Sequence, residues 1–338
     1  MLISVYVPFV VTAVLTVLAP RLARRLAPRP AAWALACAAL VTAVGWTGSL
    51  ALLAFTGIAQ IPQVATEGHW SVAALRAQDP VYVAVAALSA IVLVASVASL
   101  GVAAVRQARQ IQRARQECAE LPGETELTVL DDDIPLAFAL PGAPGRIVVS
   151  RGMLCRLGHD ERTALLAHER AHLRGRHYLF LSLWQLTAAL NPLLRPMAKA
   201  GAFALERWAD EEAAAQLGDR TVVARAVGRA ALASAGTPRP GLLAATGGEV
   251  PQRVRALLAP PPTRRSLPFV AGALLLSVCC ASLANAASDS DELVDSAKRA
   301  QCAELLATTN APPTGAHRPG PGFHCGPHHW DVHTERRS

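Results

Sequence analysis

Four stretches of the chain contain no Asp, Glu, Lys or Arg: Leu2 to Pro20, Ala31 to Gly57, Pro80 to Val105, and Leu267 to Ala287. A helix rises about 1.5 Å per residue, so about 20 apolar residues cross the hydrocarbon core of a bilayer. One charge at the centre of such a helix costs roughly 2.5 to 3.5 kcal/mol on insertion scales, so four uncharged runs predict four membrane-spanning helices rather than a soluble core.

The pattern changes between the third and fourth runs. Leu127 to Leu130, Leu136 to Leu140 and Ile147 to Ser150 are short apolar segments separated by Asp131-Asp132-Asp133 and by Pro141-Gly142-Ala143-Pro144-Gly145, which predicts two or three short strands. From Asp160, taken as an N-cap, the period becomes helical and runs through Leu165, Leu166, His168, Glu169, His172 and Leu173. A second helix is predicted over Ala202 to Leu217. Tyr178 to Leu194 is apolar but short for a crossing, which suits a segment lying on the inner leaflet or packed within the site.

Composition agrees with a membrane protein, at 52% hydrophobic and 17% charged residues over 338 positions. The net charge of +7 raises the question of nucleic acid. The arginines, however, cluster at the ends of the apolar runs without interleaved aromatics, so no direct nucleic-acid binding is expected. They read instead as topology signals. Arg21, Arg24 and Arg25 follow the first run, Arg106, Arg109, Arg113 and Arg115 follow the third, and Arg253, Arg255, Arg264 and Arg265 precede the fourth. By the positive-inside rule these ends are cytoplasmic and the N-terminus lies outside.

The expected architecture is mostly α: a multi-pass plasma-membrane protein with three helices in residues 1–105. A cytoplasmic α+β domain follows in 106–266, then a fourth helix in 267–287 and an external tail in 288–338, extended or disordered. That tail holds His317, His324, His328, His329, His333 and Cys325, for which metal binding is the less favoured reading. None of the seven cysteines forms a Cys-x-x-Cys pair, which excludes a zinc ribbon or thioredoxin-like motif. Cys302 and Cys325 are the pair available for a disulfide should the tail face an oxidising compartment.

Candidate chemistry lies in His168-Glu169-Arg170-Ala171-His172. Histidines at i and i+4 share one helical face and can hold one Zn2+, and Glu169 beside them can take a proton from water attacking a carbonyl. A catalytic zinc normally has three protein ligands and an open position, so a third is needed. Glu206-Arg207-Trp208-Ala209-Asp210 offers two carboxylates one turn apart, with Glu206 expected as ligand and Asp210 as the acceptor that orients a ligand histidine. The competing view, in which Glu206 and Asp210 are surface charges paired with arginines, is weakened by the histidine motif upstream. His177 is expected not to be a ligand.

Ala167 to Arg174, Leu190-Asn191-Pro192-Leu193, Leu205 to Asp210 and the strand-like Ile147 to Leu154 together resemble the membrane zinc peptidases of the BlaR/MecR type. The integral-membrane peptidases of the CaaX-processing and heat-shock group are similar in their core. The resemblance covers roughly Arg106 to Leu258 and implies one zinc on His168, His172 and Glu206, with Glu169 as base. It also implies that Ile147, Val148, Val149 and Ser150 form an edge strand pairing with an extended substrate, and that the substrate is a protein such as a winged-helix repressor. The chain departs from the family pattern at His177, where members commonly carry Asp, and in lacking a penicillin-binding sensor domain. The alternatives to a signalling endopeptidase are a broad-specificity quality-control protease and a non-catalytic zinc-binding receptor or scaffold.

Overall fold

The structure is a computed structural model that describes residues 4–78, 83–121, 125–235, 249–261 and 267–309. The histidines and Cys325 of the tail lie outside the described residues. Among those described, four helices are long and apolar enough to cross a membrane. They are α1 (Val7–Ala23, entered through a 3-10 turn at Ser4–Tyr6), α2 (Pro28–Ile58), α5 (Val83–Glu120) and α12 (Leu267–Thr309). Half of the apolar window of α2 is buried, against 11% for α12, so α2 is the central post on which the others lean. Two short helices, α3 (Pro62–Gly68) and α4 (Val72–Gln78), follow α2.

At about 1.5 Å per residue, the 38 residues of α5 extend about 57 Å, well beyond the hydrocarbon core. Its C-terminal half therefore becomes part of the next layer: Gln107 donates to Ser182 at 2.8 Å, and Cys118 is buried with Leu140 and Val148. The 43-residue α12 behaves likewise at its other end. The tail was expected to lose structure after Ala287, but the helix continues through Ser288 to Thr309. This stretch has Ala as its commonest residue and no Pro or Gly, and it finds a partner, since Ala297 is buried with Ala59 and Leu75 and its carbonyl accepts from the Ser71 N–H.

The remaining elements are β1 (Leu127–Leu130), β2 (Ala137–Leu140), β3 (Arg146–Ser150), α6 (Arg151–Arg156), α7 (His159–Arg174), α8 (His177–Leu190), α9 (Arg195–Leu217), α10 (Arg220–Ser234) and α11 (Glu249–Leu258). The expected strands are present, but their order corrects one expectation. The sheet runs β1-β3-β2, with β3 parallel to β1 and antiparallel to β2. Ile147, Val148, Val149 and Ser150 are thus central, paired on both sides and at most 1% exposed, so they cannot form the edge strand on which a substrate would add. The Ser150 hydroxyl is also engaged, accepting from the N–H groups of Leu136 and Met153. Strand order is set by which buried faces meet, and the alternation of side chains does not encode it.

The α7 helix begins one residue before Asp160, with the Glu161 carboxylate accepting from the Gly158 N–H at 2.9 Å. Asp160 falls in the first turn, where its charge favours the positive end of the helix dipole. The α8 helix and the first half of α9 form a hairpin among the long apolar helices. Phe180, Trp184, Leu194, Met197, Leu205 and Trp208 share one buried cluster with Leu15, Ala31 and Leu35. Gly201 permits this closeness, because a Cβ there would lie 2.5 Å from the Trp184 ring. The Thr16 hydroxyl donates to the Leu193 carbonyl at 3.0 Å, which sets the hairpin tip about two turns inside the end of α1.

Candidate metal centre

The α7 and α9 helices pack side by side and bring the sequence-predicted groups together. His168, His172 and Glu206 each offer a ligand atom, and these atoms lie within 4.8 Å of one another. His168 Nε2 is 3.1 Å from His172 Nε2 and 3.6 Å from Glu206 Oε2, while His172 Nε2 is 3.5 Å from Glu206 Oε1. Ligands at about 2.0 to 2.1 Å around a tetrahedral zinc stand about 3.3 Å apart; the two imidazole nitrogens approach that separation, each facing a different oxygen of Glu206. Glu169, next to His168 on α7, is buried and within electrostatic reach of Arg253.

Asp210, 1% exposed, places Oδ1 3.0 Å from His168 Nδ1. That contact leaves the opposite ring nitrogen of His168 turned to the cluster, as a carboxylate behind a metal-binding histidine does. Burial works against the His168 cation, but the facing Asp210 and Glu206 carboxylates outweigh it and push its pKa up to about 10. Burial holds His172 down to about 4, aided by the neighbouring His168 charge and opposed by Glu206. In the absence of a metal the site therefore holds its proton on His168.

Sequence reading missed Arg253. It sits on α11 and is 8% exposed, yet it meets both carboxylates, with Nη1 2.7 Å from Glu206 Oε2, Nη2 2.6 Å from Asp210 Oδ1 and Nε 2.8 Å from Asp210 Oδ2. Burial alone would raise Glu206 and Asp210, but Arg253 and then His168 hold both below the ordinary carboxylate range. The signal was present as one of four arginines ahead of the last membrane helix, where its role as a topology marker concealed it.

The wall behind the site comes from the turn between α1 and α2. The Arg207 guanidinium donates to the carbonyls of Arg24 and Leu26 at 3.0 and 3.4 Å, and Arg29 lies 5.2 Å from the centre of the Trp208 ring. His177, expected not to be a ligand, is buried beside the cluster with Nδ1 2.9 Å from His172 Nδ1.

Residues 105–228 match the model of Peptidase family M48, a stretch that contains α7, α9 and the three candidate ligands. The match supports a metallopeptidase family and does not extend to the BlaR/MecR-type subgroup. Arg253 falls outside the matched residues. No curated protein and no solved structure matches the chain.

Proposed function

We propose that this chain is an integral-membrane zinc metalloendopeptidase that hydrolyses a peptide bond in a cytoplasmic or membrane-proximal protein. The observation that carries this reading is the convergence of two imidazoles and one carboxylate, with one ligand atom from each within 4.8 Å of the others. An ion held there would act as a Lewis acid, polarising the scissile carbonyl and making hydroxide available near neutral pH. His168, His172 and Glu206 would hold it. Glu169 takes the proton from the attacking water and returns it to the leaving amine, and Asp210 orients His168. The match to Peptidase family M48 supports the peptidase class, and the four apolar helices support a membrane setting.

The charge pattern at the helix ends supports a cytoplasmic site in the plasma membrane. A substrate near the inner leaflet is favoured because the α8–α9 hairpin shares its core with the first two membrane helices. Resemblance to the membrane zinc peptidases of the BlaR/MecR type suggests a repressor as substrate within a signalling pathway.

The test compares cells carrying the parent, Glu169→Gln and His172→Ala proteins. The Gln variant is expected to keep zinc and to lose cleavage, with the uncut substrate accumulating, whereas the Ala variant loses both. Many accumulating proteins would favour a broad quality-control role. Equal cleavage by Glu169→Gln and the parent would refute the assigned chemistry.

A further inference from the structure

His177 follows the Gly175-Arg176 turn and begins α8, where it is 1% exposed. Its ring stands between two others, 4.7 Å from His172 at 86° and 4.7 Å from Trp208 at 53°, measured between centroids. Gly175 makes room for it, because a Cβ at that position would lie 2.4 Å from His177 Nε2.

The Nδ1 atoms of His172 and His177 are 2.9 Å apart, a hydrogen bond that needs one proton between them. Which ring supplies it follows from the opposite side of His172. His172 Nε2 converges on His168 and Glu206, and to hold a cation it must present a lone pair. The proton of His172 is therefore on Nδ1, and His177 Nδ1 accepts it. His177 keeps its own proton on Nε2, which is buried with no hydrogen-bond partner among the described residues. On His168 the nitrogen away from the cluster, Nδ1, faces the Asp210 carboxylate at 3.0 Å.

We propose that His177 is the positioning residue of His172, a neutral acceptor that fixes its tautomer and ring orientation for metal. The two ligand histidines are thus held differently, His168 by a carboxylate and His172 by an imidazole. The inference rests on the metal reading given above.

Two substitutions separate an acceptor from a packing ring. His177→Phe keeps a ring against Trp208 and removes the acceptor, whereas His177→Asn keeps an acceptor in the place of Nδ1 and removes the ring. Zinc affinity of the full chain in detergent is measured by competition with a chromophoric chelator, and the Co2+ absorption spectrum reports ligand geometry. The Phe variant is expected to bind zinc about 10- to 100-fold more weakly with an altered Co2+ spectrum, and the Asn variant to bind nearly as the parent does.

A folded Phe variant that matches the parent would overturn the proposal. Should the Phe variant not fold, the Asn variant decides alone, and a tenfold loss there overturns it as well. His172→Ala is the control for the underlying reading. If it loses zinc while His177→Phe does not, only the role of His177 fails. If the parent binds no zinc, the metal reading fails and this inference with it.

Discussion

Replacing Arg253 by Met tests whether the site is assembled before any ion arrives. The substitution keeps an apolar stem of similar length and removes a guanidinium that contacts both Glu206 and Asp210, at 2.7 and 2.6 Å. Removing one partner of a buried ion pair costs roughly 3 to 5 kcal/mol, because the remaining charge stays buried without compensation. Two features of this site favour the lower end. The Glu206 side chain is 29% exposed, and His168 still faces Asp210 at 3.0 Å. A loss of about 3 kcal/mol corresponds to a fall in Tm of about 6 to 12 °C for a domain of this size. The measurement is thermal unfolding of the zinc-free protein in detergent, followed by circular dichroism, with Arg151→Met as control. Arg151 makes only exposed ion pairs, so its loss should fall within about 0.5 kcal/mol. Excess zinc should narrow the Arg253→Met deficit, since a divalent cation supplies the missing positive charge. A fall of under about 2 °C in the zinc-free protein would show that the carboxylates do not depend on Arg253.

Two further outcomes follow from the same geometry. His168 is raised from 6.5 to about 10 in the folded protein, so its contribution to stability is complete below 6.5 and is lost as pH rises through about 10. Asp210 is lowered from 3.8, so its contribution is present above that value and is lost as pH falls through the lower folded one. The Tm of the zinc-free protein should therefore decline on the alkaline side, and His168→Gln should flatten that limb; an unchanged limb would contradict the His168–Asp210 pairing. Ile147→Ala should cost about 2 to 5 kcal/mol by opening a cavity in the central strand, with KM for a peptide unchanged in the protein that remains folded. A raised KM at unaltered stability would return this strand to the substrate.

The four long apolar helices were legible because their signal is simple: long runs without charge mark a helix fit to cross a bilayer. The pair His168 and His172 was legible because helical spacing alone places two imidazoles on one face, and Glu206 because two histidines leave a metal site a ligand short. Arg253 was not, because it lies 43 residues beyond Asp210 and only the packing of α11 brings it back. His177 was visible as an ambiguous neighbour of His172, but its ring direction depends on the left-handed backbone at Arg176, with φ of 48°. The extension of α12 escaped notice because the Pro- and Gly-rich segment beyond it dominated the reading of the tail.

The cluster that joins Trp184, Leu194 and Trp208 to Leu15, Ala31 and Leu35 has a practical consequence. A water-soluble fragment cut at the edges of the peptidase motif would leave these large side chains without the surface that covers them, and Arg207 without the carbonyls of Arg24 and Leu26. The smallest unit worth purifying thus includes the first two helices, and lipid or detergent belongs to the reagent from the first step.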